Sequence, residues 1–303
     1  MRHLLLCSTI LIALGCDGAT TPDEDAGPMG TDAGAIDAAV PPSLPSSIGP
    51  AERPAQLVVP AAHDGTTPLP LVVLLHGYSA SGGAQDLYLG FSRATRANGF
   101  YLVIPDGTVD TSGNRFWNAT PACCNFGGVD VDDVAYLTGL VDEVEAMAPV
   151  RDVYFFGHSN GGFMSYRMAC ELADRVTAIG SLAGSDFANE TDCEPSQPVS
   201  VLQIHGRVDE TIAYDGQVGA YPSAPDDVAR WASRAGCDDV VTPGDALDLD
   251  MGLAGAETVV EARDTGCTGA DAALWTIEGG GHIPAVSRDF STRVLTWLDA
   301  HRR

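Results

Sequence analysis

The stretch that most limits what this chain can fold into is Val153–Gly162, where Val-Tyr-Phe-Phe breaks into Gly-His-Ser-Asn-Gly-Gly. Val153 to Phe156 has the length and the aromatic and β-branched content of a buried strand, and Phe163 to Leu172 reads as a helix. Ser159 therefore falls on a strand-to-helix turn. A serine there is forced into a strained backbone conformation, which works only if the residues two before and two after lack bulk, as Gly157 and Gly161 do. The turn lifts the hydroxyl off the sheet and aims it at the start of the next helix, where unpaired backbone N–H groups and the positive dipole end favour an oxyanion. Five residues alone would also suit an ordinary tight turn. With a strand before and a helix after, G-x-S-x-G marks Ser159 as a candidate nucleophile.

The rest of the chain alternates in the same rhythm. Strands are expected at Gln56 to Val59, Leu69 to Leu75, Phe100 to Ile104, Val176 to Leu182, Val199 to Ile204, Thr258 to Ala262 and Ala273 to Ile277. Helices are expected from about Gln85 to Asn98, closed by Gly99, and at Val131 to Ala148, Ala224 to Ala235 and Phe290 to His301. Leu69 to Leu75 is apolar almost without interruption, the mark of a strand covered on both faces in a parallel sheet. Repeated β-α units in this order predict a three-layer α/β sandwich with a mostly parallel central sheet over residues 53–303. One long irregular loop interrupts it, Thr108 to Gly128, and a loop of that length in a compact domain is more often functional than idle. Asp130, Asp132 and Asp133 follow, and capping and dipole complementation of the next helix explain them more simply than a calcium site does.

The first 52 residues differ in kind. Arg2 and His3 precede the apolar run Leu4 to Leu14, too short to span a bilayer but suited to a secretory signal. It ends in Ala13-Leu14-Gly15-Cys16, so residues 1–16 are expected to be a lipoprotein-type signal with Cys16 lipidated, against the alternative of plain cleavage and secretion. Residues 17–52 are almost all Ala, Gly, Pro, Thr, Ser and Asp with no aromatic side chain, too little apolar surface to offset ordering entropy, and are expected to form a flexible tether. The net charge is -25 over 303 residues, and the sixteen basic residues are all Arg. Such acidity argues against nucleic acid and against charge-driven binding to anionic lipid, leaving a lipid anchor as the one route to a membrane.

Eight cysteines are present, and setting aside Cys7 and Cys16 leaves six, an even number suited to three disulfides in an exported domain. The expected pairing joins Cys237 to Cys267, leaving Cys123 and Cys124 to pair with Cys170 and Cys193. Neither a C-x-x-C pair nor histidines at ligand spacing accompany the vicinal cysteines, so no metal is expected.

A serine hydroxyl needs a base to take its proton and an acid to orient that base. In the α/β-hydrolase arrangement these follow in the order serine, acid, histidine, each after a strand. Among seven histidines, His282 lies late in the chain, in Gly279-Gly280-Gly281-His282 directly after a strand. Strand Val199 to Ile204 runs into His205-Gly206-Arg207-Val208-Asp209, making Asp209 the candidate acid, with Glu210 and Asp215 as competitors. The oxyanion donors are expected to be the backbone N–H groups of Asn160 and of Tyr78, which follows His76-Gly77, with Ser79 behind it.

With these residues in view, the chain resembles the extracellular polyhydroxybutyrate depolymerases and feruloyl esterases, relatives of the acetylxylan esterases. The resemblance spans about residues 68–302. It rests on Pro70–Gly77, Val103–Gly107, Trp117-Asn118 with Cys123-Cys124, Asp132–Val134, Gly157–Gly162, Ile204–Gly206 with Asp209, and Gly280–His282. It implies an α/β-hydrolase fold and a cofactor-independent carboxylesterase with Ser159 as nucleophile, Asp209 as acid and His282 as base. It also implies a substrate cleft bordered by Trp117 and Asn118; His158 and Tyr214 are further candidate substrate contacts. One departure stands out: where many relatives continue the histidine into x-Trp-Pro-Gly, this chain reads Ile283-Pro284-Ala285. The expected substrate is a feruloyl or acetyl ester on plant cell-wall polysaccharide, polymeric or oligomeric, with a hydroxyalkanoate polyester as the alternative using the same chemistry. A prolyl-oligopeptidase-type peptidase and an inactive, envelope-displayed binding lipoprotein are the rivals from other classes.

Overall fold

The computed structural model describes residues 43–303. The expected signal, Cys16 and most of the expected tether lie outside the described residues. In chain order the strands are β1 (Ser47–Ile48), β2 (Ala55–Val58), β3 (Leu69–Leu75), β4 (Tyr101–Ile104), β5 (Thr108–Val109), β6 (Arg115–Phe116), β7 (Val150–His158), β8 (Val176–Leu182), β9 (Ser200–Gly206), β10 (Thr242–Pro243), β11 (Thr258–Arg263) and β12 (Ala272–Ile277). The helices are α1 (Gly82–Leu89), α2 (Phe91–Asn98), α3 (Asp133–Met147), α4 (Asn160–Glu171), α5 (Ala224–Arg234) and α6 (Phe290–Ala300).

Ten strands form one sheet in the order β1-β2-β4-β3-β7-β8-β9-β12-β11-β10. The run from β4 to β12 is parallel and the outer strands on both sides are antiparallel. Because side chains alternate along a strand, an unbroken apolar strand feeds two cores at once. Leu71, Val73 and Leu75 of β3 join Leu137 and Val141 of α3, Phe163 of α4 and Trp231 of α5 on one face. Val72 and Leu74 join Leu89, Phe91, Phe290 and Leu298 of α1, α2 and α6 on the other. This is the three-layer sandwich expected from sequence.

Three expectations need correction. Residues 47–48, read as tether, pair with β2, and Ile48 is 3% exposed; Gly49 N–H also donates to Glu143 Oε2 at 2.8 Å. A buried isoleucine, pairing with a sheet edge and a backbone hydrogen bond to Glu143 hold this segment against the fold despite its tether-like composition. The helix expected from Gln85 to Asn98 is two helices, because Gly90 adopts φ 77°, and Asp86 then caps α2 by accepting from Ser92 N–H and Oγ–H. The vicinal cysteines pair with each other, Cys123–Cys124, which leaves Cys170 bonded to Cys193 and Cys237 to Cys267. Linear spacing does not reveal that both vicinal cysteines are buried in the same core as side chains of α3 and α4.

Candidate active site

The parallel strands bring their carboxyl ends together, and register decides which loops become neighbours. Leu75 stands opposite Gly157, so the His76-Gly77-Tyr78 loop leaves the sheet beside the serine turn. Gly206 stands opposite Ile277, so the loops carrying Asp209 and His282 emerge side by side.

Ser159 has φ 55° and ψ -120°, a conformation a non-glycine residue holds at a cost of about 1–3 kcal/mol. The surroundings impose it: Ser159 N–H donates to Leu182 O at 2.8 Å, and Phe163 N–H donates to Ser159 O at 3.0 Å. A β-carbon at Gly157 would collide with the carbonyl of Gly161, and one at Gly161 with the carbonyl of Leu75. The fully buried Phe155, Phe156 and Phe163, each contributing about 1.5–3 kcal/mol, anchor the turn well beyond its strain.

His282 Nε2 lies 2.9 Å from Ser159 Oγ, and His282 Nδ1 lies 2.8 Å from Asp209 Oδ2. The three side chains singled out in the sequence thus form one hydrogen-bonded line. The Asp209 side chain has no exposed surface. Burial pushes its pKa up, but hydrogen bonds from His205, His282 and the Ile212 N–H outweigh that and hold it well below the usual carboxylate range. Thr211 and Ile212 N–H donate to Oδ1 at 2.8 and 2.9 Å.

Behind Asp209 runs a buried polar relay that the sequence did not reveal. Tyr166 O–H donates to Gln203 Oε1 at 3.0 Å, which orients the Gln203 amide. Gln203 Nε2 then donates to Gly184 O and to His205 Nδ1. With Nδ1 accepting, His205 carries its proton on Nε2, 2.9 Å from Ile212 O and 3.3 Å from Asp209 Oδ2. The one signal was local: His205 and Gln203 alternate on β9, where polar residues in an otherwise apolar central strand call for partners.

On the oxyanion side, the N–H groups of Tyr78 and Asn160 have no acceptor among the described residues, whereas Ser79 N–H is taken by Arg115 O at 2.8 Å. A β-carbon at Gly77 would stand 3.4 Å from Ser159 Cβ, so this loop passes directly over the serine. The loop is held from several directions. Gly77 N–H donates to Gln85 Oε1, Gly107 N–H to His76 Nε2, and Trp117 Nε1–H to His76 O. Burial keeps His76 neutral by lowering its pKa, as an acceptor at Nε2 requires.

The expected substrate contacts divide. Trp117 has no exposed surface and cannot line a cleft; its backbone is clamped on both sides by the Asn160 amide. Tyr214 is buried too, its hydroxyl spent on Thr276 and its ring covered by Arg207. His158 does line the cleft above Ser159, together with Tyr78, Ala84, Tyr88 and Ile283, around a volume of about 230 Å³. Burial lowers the His158 pKa to about 4, so it stays neutral and donates from Nε2 to His282 O at 2.9 Å. Asn118 lines a second concavity, beyond Tyr78. Tyr88 and Ile283 went unnoticed in the sequence because nothing local distinguishes them from helix and loop residues elsewhere.

Fold and strand-end geometry together define an α/β-hydrolase scaffold. No family model matches the chain. Among curated proteins, Feruloyl esterase B of Piromyces equi is 26% identical over 240 residues, covering 74% of this chain and 41% of that protein. Feruloyl esterase D of Neurospora crassa is 24% identical over 215 residues, covering 70% of this chain and 63% of that protein. The matches therefore span less than two thirds of either relative. A solved acetyl xylan esterase from Aspergillus awamori shares the fold with a TM-score of 0.57 at 15% identity, over 83% of this chain and 95% of that one.

Proposed function

We propose that this chain is a carboxylic ester hydrolase acting through a serine acyl-enzyme. The observation that carries the reading is the continuous line Ser159–His282–Asp209, with two unpaired N–H groups beside the serine. His282 takes the Ser159 proton as Oγ attacks the ester carbonyl, and the N–H groups of Asn160 and Tyr78 receive the oxyanion. His282 returns the proton to the leaving alcohol and then activates water to release the acid. Asp209, ionised and immobilised, orients the imidazole and stabilises it when charged.

Feruloyl or acetyl esters of plant cell-wall polysaccharide are the substrate class, supported by the names of the relatives and by a cleft walled by Ala84, Tyr88 and Ile283 that suits an apolar or small acyl group. A hydroxyalkanoate oligomer is the second reading, favoured by Ile283 standing 69% exposed at the cleft rim, where it offers an apolar contact. Three disulfides suit an oxidising compartment, so we read the chain as exported, with Cys16 as a lipid attachment point checked by mass spectrometry of the mature N-terminus.

The test is a hydrolysis panel of methyl ferulate, acetylated xylan, hydroxybutyrate oligomers and a prolyl peptide, run with wild type and Ser159→Ala. Ester turnover confined to the wild type is expected. Ester turnover that survives the substitution removes the mechanism, and cleavage of the peptide alone moves the class.

A further inference from the structure

The cleft over Ser159 accounts for one half of an ester. Its 230 Å³ suits an acyl group, and the alcohol half of a polymeric substrate must lie elsewhere. Next to it lies a larger groove of about 450 Å³, whose lining includes Asn118, Thr120, Asn125, Phe126, Arg167 and Glu171. The two concavities meet at an aromatic pair: Tyr78 lines the cleft, Phe126 lines the groove, and their rings stand edge to face at 5.4 Å. Phe126 is 73% exposed, so most of its ring is open to a ligand.

Direction and reach follow from α4. Ser159 caps that helix, and at a rise of 1.5 Å per residue Arg167 and Glu171 lie roughly 12 and 18 Å along its axis from the serine. The α4 wall of the groove therefore begins roughly 12 Å along the helix from the nucleophile and runs about 6 Å further, leading away from it. Its chemistry also differs from that of the cleft. Amide, guanidinium and carboxylate groups line it, and Arg167 and Glu171, paired across one helical turn at 3.7 Å, keep 26% and 48% of their side-chain surface exposed. Glu171 and Asp192 make its rim unfavourable to polyanions. The loop presenting Phe126 is set in place before any ligand arrives. The Cys123–Cys124 bond closes its turn, Thr120 and Cys123 exchange backbone hydrogen bonds at 3.2 and 3.1 Å, and Phe126 N–H donates to Cys124 O at 2.9 Å.

We infer that this groove is the alcohol-side subsite of the enzyme, binding a neutral polysaccharide chain whose sugar faces pack on Phe126 and whose hydroxyls meet Arg167 and Glu171. The inference rests on the ester-hydrolase reading and adds a choice within it. A polyhydroxybutyrate chain repeats ester carbonyls with no hydroxyl donor along it and so offers nothing to the Glu171 carboxylate, whereas a polysaccharide carrying apolar acyl groups matches a polar groove beside an apolar cleft.

Two measurements test it. Calorimetric titration of the wild-type protein with an unesterified xylo-oligosaccharide is expected to show saturable binding that Phe126→Ala weakens about tenfold, the loss of one aromatic contact; Glu171→Ala is expected to weaken it less. In turnover, the ratio of kcat/KM on an acetylated or feruloylated xylo-oligosaccharide to kcat/KM on methyl ferulate is expected to fall about tenfold in Phe126→Ala, through KM. Absence of saturable binding, an unchanged ratio, or a selective loss on hydroxybutyrate oligomers instead would each overturn the inference. If the wild type hydrolyses no ester, the functional reading fails while the titration still decides whether the groove takes a sugar chain.

Discussion

The two sides of the candidate active site are built by different means. The serine turn is enforced by backbone sterics: Gly157, Gly161 and the Leu75 carbonyl leave no room for another path, and Val153, Tyr154, Phe155 and Phe156 before it and Phe163, Met164 and Tyr166 after it are buried. The histidine loop is held by side-chain and backbone hydrogen bonds to segments far away in sequence, Met251 N–H to Ala285 O at 2.8 Å and Val208 N–H to Gly280 O at 3.0 Å among them. Tyr88 O–H donates to Pro284 O at 2.6 Å, and Asp250 Oδ1 accepts from Ala285 N–H at 3.0 Å. Asp250 is placed in turn by Glu257, which accepts from Leu249 and Asp250 N–H at 2.9 Å each. A nucleophile must be locked in a strained shape, which calls for dense packing. A base needs its imidazole aimed at the serine and the leaving group, which hydrogen bonds from separate segments supply.

The comparison can be broken most forcefully at the chemistry. His282→Ala and Asp209→Asn are each expected to lower kcat on a small ester by about 10⁴, with the fold intact by circular dichroism. Retention of full activity in Asp209→Asn would detach that carboxylate from the base.

Next in size is the contrast between glycines. Gly161→Ala drives a methyl group into the Leu75 carbonyl and is expected to cost about 3 kcal/mol or more, or to prevent folding, whereas Gly281→Ala meets nothing within 4 Å and should stay within about 0.5 kcal/mol. Paired melting curves decide it, and equal losses would erase the distinction between a packed turn and a tethered loop.

Acid sharpens the picture through His158. Its folded pKa of about 4 lies below the value of about 6.5 expected for an unfolded histidine, so the unfolded chain takes up the proton first. Its contribution of roughly 3 kcal/mol is present above pH ~6.5 and is lost as pH falls towards about 4. His158→Asn should flatten that part of the stability profile relative to wild type. The buried Asp186 and Asp227 act in the opposite sense, since burial raises both pKa values and protonation favours the folded state. The comparison must therefore be variant against wild type rather than a single acid limb.

The smallest expected effect is on the tether itself. Asp250→Ala should cut kcat on methyl ferulate about tenfold, with a stability loss of about 1–2 kcal/mol from the freed N–H groups of Gly252 and Ala285. A larger stability loss with unchanged kcat would make Asp250 a fold residue only.

The primary structure alone determined what depends on neighbours along the chain. Strand and helix periods, the strand-to-helix serine turn, and the chain order of Ser159, Asp209 and His282 are written in local pattern, and the sheet forms with β3 and β8 spanning the residues expected. Tertiary structure decided whatever depends on residues meeting across the fold. The vicinal Cys123–Cys124 bond was one of fifteen pairings open to six cysteines. The burial of Trp117 and Tyr214 follows from what packs over them. The Tyr166–Gln203–His205 relay, the tether from Tyr88 to Pro284 across 196 residues, and the groove beyond Phe126 exist only once distant segments are brought together. The physical reason is the same throughout: sterics and periodicity act over a few residues, while hydrogen-bond partners and cavity walls are set by how strands register and helices pack.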